Sequence, residues 1–209
     1  TEKNQEIMAK AEREAQEELA FQAFHDSLTG LRNRAWIIQT LAQDIEDAKA
    51  LRQHVGVLFI DLDNFKVIND SLGHMAGDQV LTEIGNRLQA CLHSRERLGR
   101  FGGDEFVVIV PEVDDVLEVE RTAERIDAAI RQDLEIHGHR IVPTGSIGIA
   151  ISDGASSAEG LLRDTDAALF RAKSVGRGRW HFFDQEMHEH AIDRLTRDSE
   201  TRRGPAAGE

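Results

Sequence analysis

Four carboxylates have the types and the spacing to do chemistry. Asp61 and Asp63 close the apolar run Val55 to Ile60, while Asp104 and Glu105 follow the glycine pair Gly102-Gly103. Apolar residues Phe106 to Val110 come next, and Leu98 and Phe101 on the other side of the glycines suit a partner strand, so the glycine pair reads as a two-residue hairpin loop. Alternation along a strand puts Asp61 and Asp63 on one side with Leu62 opposite, and sends Asp104 and Glu105 to opposite faces. Gathering carboxylates costs repulsion and desolvation unless a cation answers them. Hard oxygen ligands select Mg²⁺ or Mn²⁺, and such an ion is content with one or two carboxylates, some waters and the phosphates of a substrate. Asp61 and Asp104 with a backbone carbonyl would suffice. Two such ions are the usual arrangement for attack of a hydroxyl on phosphorus.

Cations and polar groups for a nucleotide are also present. Lys66, Lys173 and Arg177 can clamp a triphosphate, and backbone N–H groups in the turn after Asp63 can cradle it. Asn69 and Asp78 offer an amide and a carboxylate, which match the O6 edge and the N1–H/N2–H₂ edge of guanine. Taken singly, the three cations read as surface residues, His74 as a turn residue and Asn69-Asp70 as capping material. Their combination is what carries weight.

The elements that must hold these residues are legible in the periodicity. Val55 to Ile60 reads as a central strand covered on both faces, with its carboxylates at the end where open sheets bind ligands. Helices are expected at about 34–50, capped by Asn33, from Asp78 onward with Leu81, Ile84 and Leu88 inward, near 116–132, and at 158–174. Ile141 to Ile151 alternates as one strand with a small-residue face of Thr144, Ser146, Gly148 and Ala150, and Trp180 to Phe183 is a short strand. Helices against a mainly antiparallel sheet make an α+β sandwich. Glu2 to about Phe24, rich in Glu, Ala, Lys and Gln, reads as a helical stalk with a weak stripe of Ile7, Met8, Ala11, Ala15 and Leu19. The organisation expected is therefore a stalk over 1–24, a catalytic domain over 25–184 and a polar connector over 185–209.

Composition narrows the classes. The net charge of −13 disfavours nucleic-acid backbones and anionic membranes as partners. One cysteine, Cys91, excludes an internal disulfide and a cysteine-based zinc cluster, and suits a reducing compartment. No run approaches the roughly 20 apolar residues that span a bilayer. A cytoplasmic domain is expected, within a parent protein that is free to be membrane-anchored.

Phe59-Ile60-Asp61-Leu62-Asp63-Asn64-Phe65-Lys66-Val67-Ile68-Asn69-Asp70, then Gly73-His74, Gly77-Asp78 and Arg100-Phe101-Gly102-Gly103-Asp104-Glu105-Phe106, resemble the GGDEF family of diguanylate cyclases. Asp26 to Arg34 and Lys173 with Gly176-Arg177 match as well, so the resemblance covers about residues 25 to 184. It implies a fold similar to the palm of nucleotidyl cyclases, and a homodimer in which each protomer holds one GTP. Each 3′-OH attacks the other α-phosphate, giving cyclic di-GMP and two pyrophosphates. By motif match, Asp61 and Asp104 hold Mg²⁺ or Mn²⁺ with the Leu62 carbonyl assisting, and Asp104 or Glu105 helps activate the 3′-OH. Lys66 stabilises developing charge, Lys173 and Arg177 bind phosphates, and Asn69, His74 and Asp78 lie at the nucleoside. The alternative is a catalytically silent GTP-binding regulatory module. The tail Met187 to Leu195 is similar to a connector towards an EAL-type phosphodiesterase, and an upstream sensor is implied by the stalk. Family members often carry Arg-x-x-Asp before the hairpin, where product docks and inhibits. His93 and Glu96 stand there instead, so ordinary high-affinity product inhibition is not expected.

Overall fold

The computed structural model describes Lys10, Gln16, Leu19 and residues 21–184. Most of the expected stalk and the whole 185–209 connector lie outside the described residues, although Lys10, Gln16, Leu19 and 21–24 are helical.

Asn33 caps the first full helix, α1 (Arg34–Leu51), by accepting the Trp36 N–H at 3.1 Å. Strand β1 (His54–Leu62) follows and is buried along most of its length. Helices α2 (Phe65–Leu72) and α3 (His74–Cys91) meet at Gly73, and β2 (Arg97–Gly102) turns into β3 (Glu105–Val113). Next come α4 (Val116–Ile130), a small hairpin of β4 (Leu134–Ile136) and β5 (His139–Ile141), then β6 (Gly145–Ile151), α5 (Ala158–Ser174) and β7 (Trp180–Phe182). The main sheet runs β2-β3-β1-β6-β7, with every pairing antiparallel except β6 with β7. The fold is α+β, a mainly antiparallel sheet flanked by helices, as the periodicity predicts.

Strand alternation divides the core in two. Val57, Phe59, Val107 and Ile109 pack with Ile37 and Leu41 of α1 and Leu161 and Leu169 of α5. Leu58, Ile60, Val108, Ile147 and Ile149 face the other way, onto Val80, Ile84 and Leu88 of α3 and Ala123, Ile126 and Ile130 of α4. Asp61 continues the first series, so it emerges on the α5 side, while Leu62 joins the second cluster.

The structure corrects four local expectations. The hairpin loop is Gly103-Asp104, because Gly102 still pairs with Glu105 and a bulge at Phe101 shifts the register by one residue. Gly103 takes the left-handed backbone (φ 49) that the turn needs. Helix α3 starts at His74 rather than Asp78, since Gly77 is helical. Its missing Cβ makes room for Asn69, whose Oδ1 would lie 1.9 Å from such an atom. The hairpin β4–β5 turns at His137 and Gly138, both at positive φ, and was not anticipated from its short strands. The alternating stretch from Ile141 to Ile151 is accordingly two strands, broken at 142–144 ahead of Gly145. Among the described residues, no helix is long and apolar enough to cross a membrane.

Candidate active site

The end of β1 and the β2–β3 hairpin bring the acidic residues together. Asp61 and Glu105 face each other across the β1–β3 ladder. The Leu62 N–H donates to the Asp104 backbone carbonyl at 3.2 Å, which ties the hairpin turn to the end of β1. From the last turn of α5, the Lys173 ammonium reaches Asp61 Oδ2 at 2.7 Å. Burial lifts the Asp61 carboxyl above its ordinary value. Lys173 opposes that shift, and repulsion from Asp104 and Asp63 adds to it. Glu105 is lifted for the same first reason, burial, reinforced by Asp61 and Asp104. Excess negative charge in a half-buried place is what a divalent cation relieves.

The donor set fits a hard cation in kind: the carboxylates are oxygen ligands under mutual repulsion, and a lysine already rests on one of them. Among the described residues no three His, Cys, Asp or Glu side chains stand in ligand geometry around one point. An ion of the Mg²⁺ type needs no such cage when substrate phosphates and water complete its shell.

The turn carrying Asp104 is held from behind. Arg100 donates through Nε and Nη2 to the Gly103 carbonyl at 3.0 and 2.7 Å, and through Nη1 to both carboxylate oxygens of Asp26 at 2.9 and 3.0 Å. Burial pulls the Asp26 carboxyl up, but the hydrogen bonds from Thr29 and Arg100 outweigh it and hold it below its usual range. The sequence marks both residues only as parts of separate motifs. Nothing local links positions 74 apart in the chain.

Asp63 departs from its expected company. Its carboxylate accepts from Ser146 Oγ at 2.7 Å, Thr144 Oγ1 at 2.9 Å and the Gly178 N–H at 2.9 Å, and the residue is buried. It is a structural junction between β1, β6 and the loop after α5. Thr144 just before β6 and Ser146 on it, read in the sequence as one small-residue face, were its only advance signal.

The remaining candidates flank this centre. Lys66 is exposed on the first turn of α2. Asn69 is half-buried against Gly77, and His74 and Asp78 are exposed one turn apart on α3. Asp78 stands at an open groove that Leu28, Thr82 and Leu134 also line. Arg177 is exposed in the loop after α5. Glu96, by contrast, is buried: it accepts from the His93 N–H at 2.6 Å, Thr122 Oγ1 at 2.7 Å and Arg125 Nη2 at 2.6 and 2.8 Å.

Both the sequence and the fold have known relatives. A family model described as diguanylate cyclase, GGDEF domain, matches residues 23–179. The chain is 41% identical over 162 residues to the diguanylate cyclase TpbB of Pseudomonas aeruginosa, covering 77% of this chain and 37% of TpbB. The solved GGDEF domain of TpbB superposes with a TM-score of 0.74 at 38% identity, covering 77% of this chain and 94% of that one. The bifunctional diguanylate cyclase/cyclic di-GMP phosphodiesterase MucR of the same organism is 36% identical over 191 residues, 90% of this chain and 28% of MucR. The coiled coil and GGDEF domain of DgcB from Caulobacter crescentus, solved with c-di-GMP, gives a TM-score of 0.79 at 26% identity, over 86% and 95% of the two chains. The chain thus spans between 28% and 37% of the length of these two curated relatives.

Proposed function

The chain belongs to the GGDEF family of diguanylate cyclases, and from that premise we propose that it condenses two GTP into cyclic di-GMP and two pyrophosphates. Two copies face each other, each presenting one GTP. The 3′-oxygen of each nucleotide forms a bond to the α-phosphorus of the other. The α–β phosphoanhydride breaks and pyrophosphate leaves with its electron pair. The 3′-OH proton passes to Asp104 or Glu105.

The observation that carries this reading is the meeting of Asp61, Asp104 and Glu105 at one end of the sheet with Lys173 beside them. Bound there, Mg²⁺ or Mn²⁺ would supply charge neutralisation for the triphosphate and a lowered 3′-OH pKa. Asp61, Asp104 and the Leu62 carbonyl are the residues that would hold it. Lys66, Lys173 and Arg177 bind and orient the phosphates, which is worth most in a dry, preorganised site. Asn69 and Asp78 read the guanine edge, with His74 beside them. Feedback by product at the His93–Glu96 position is not part of the proposal, because the Glu96 carboxylate is already committed to internal donors.

The test is incubation with GTP and Mg²⁺ followed by chromatography of the products, with Asp104→Asn as the control. The wild-type chain is expected to make cyclic di-GMP. Asp104→Asn should lower turnover by about a hundredfold or more with an unchanged circular dichroism spectrum. An active Asp104→Asn protein would remove the metal assignment. GTP binding without product would favour a silent regulatory module.

A further inference from the structure

The loop between α5 and β7 adopts a costly backbone. Gly176, Arg177 and Gly178 have φ of 134°, 51° and 56° in succession. For arginine the left-handed region is unfavourable by about 1 kcal/mol, and it persists only where the surroundings dictate it. Here they do. The Arg177 N–H donates to the Ala172 carbonyl at 3.2 Å. The Gly178 N–H donates to buried Asp63 at 2.9 Å, and the Gly178 carbonyl accepts from Arg131 Nη2. Arg131 is itself oriented by Asp127, which accepts from its Nε at 2.6 Å. Asp63 is fixed by Thr144 and Ser146. Residue 178 is therefore gripped at both its N–H and its C=O, by side chains from the end of β1 and the end of α4. Its neighbour Arg177 is left exposed.

We infer that Asp63 and Arg131 are positioning residues for substrate: by gripping Gly178 they fix where the Arg177 guanidinium meets the phosphates. This rests on the reading of Arg177 as a phosphate ligand. Neither residue touches the nucleotide. Their effect is preorganisation, since a guanidinium whose backbone is already set loses less freedom on binding. A purely structural clamp would instead hold β7 in place and affect every ligand alike.

Isothermal titration with magnesium pyrophosphate and with guanosine separates these cases, and needs no turnover. Arg131→Met keeps the stem and removes the donors at a surface-exposed position. It should weaken pyrophosphate by about fivefold to tenfold, the worth of one lost hydrogen bond, and leave guanosine within about twofold of wild type. Arg177→Ala should weaken pyrophosphate at least as much. Arg131→Met combined with Arg177→Ala should be no worse than Arg177→Ala alone, because both changes remove one contact. Asp63→Asn should follow Arg131→Met, and Arg131→Met decides the matter if that protein does not fold. Unchanged pyrophosphate binding in Arg131→Met overturns the inference, as do equal losses for both ligands or additive losses in the double variant. A wild-type chain that binds guanosine but no pyrophosphate overturns the phosphate role of Arg177 and the inference with it. Pyrophosphate binding that depends on Arg131, in a chain that yields no cyclic di-GMP, would uphold the clamp and sink only the proposed reaction.

Discussion

Glu96 is a carboxylate withdrawn from water, and three donors take water's place. Burial pulls its carboxyl up, but the His93 N–H, Thr122 and Arg125 outweigh burial and hold it below its ordinary value. Such a group stabilises the fold fully above its unfolded-state pKa, and the contribution is lost as pH falls through the folded-state value. Glu96→Gln should therefore lower the unfolding free energy near pH 7 by about 1–3 kcal/mol. Urea denaturation repeated as pH falls below the ordinary glutamate range should show the gap to wild type narrowing, since the contribution of the carboxylate charge is lost as the folded-state group takes up its proton. A gap that stays constant would mean that the carboxylate charge contributes nothing. Single residues are also where reading the sequence fell shortest. Asp61, Asp104 and Glu105 were legible because their types stand out at the ends of apolar runs, whereas Lys173, taken singly, reads as a surface cation and only the combination of motifs marks it. Asp63 stands in the sequence as one of four clustered carboxylates, and its distant partners Thr144, Ser146 and Gly178 give it a structural task instead. Arg131 carried no signal at all, for its meaning lies in a contact across 47 positions.

Helix α5 carries Lys173 and leads into the Arg177 loop, so its seat on the sheet governs the site. That seat is Gly148 on β6. A Cβ there would lie 2.1 Å from the Thr165 carbonyl oxygen and 2.4 Å from the Leu169 nitrogen. These are backbone atoms of α5 that no rotamer change can clear. Gly148→Ala should cost about 3 kcal/mol, the upper end of ordinary overpacking. Urea denaturation would show it as a lower midpoint, and synthesis should fall more than stability alone explains because Lys173 is carried outward. A midpoint within error of wild type would mean that α5 is seated elsewhere. Element boundaries were legible where the signal is local: Asn33 caps α1 by a side-chain bond, and Asp115 and Ser157, not singled out in the sequence, do the same for α4 and α5. They were misread where glycine serves packing rather than turning. Gly77 looks like a loop residue, yet it sits inside α3 because the Asn69 amide occupies the space its side chain would take. The strands of β4 and β5, three residues each, are too short for alternation to register.

At the scale of the molecule, the fold class was readable because the long helices repeat at helical spacing and the central strands stand out as apolar runs, whereas the order of the strands depends on pairings far apart in sequence. In the proposed reaction, the acidic end of the sheet is one half of a site that joins two nucleotides. Each chain carries a net charge of −13, and two such bodies repel at low ionic strength. Facing copies are therefore expected to associate weakly, and turnover per chain should climb with protein concentration, roughly tenfold per tenfold well below the dissociation constant. A dilution series of product formation run alongside sedimentation checks this. Flat turnover per chain in a sample that sediments as a monomer would rule out the two-copy mechanism.

In the proposed reaction, the Lys173 ammonium resting on Asp61 acts as a coincidence gate. Lys173 gains nothing by leaving for bulk solvent when a divalent cation arrives alone. When a triphosphate arrives alone, Lys173 leaves for it only by stripping Asp61, a carboxyl already lifted by burial, of its counter-charge. If both arrived, the ammonium would find a phosphate and the carboxylate a cation, so each arrival would lower the cost of the other. In the proposed reaction, the chain commits to neither ingredient until it has been offered the pair.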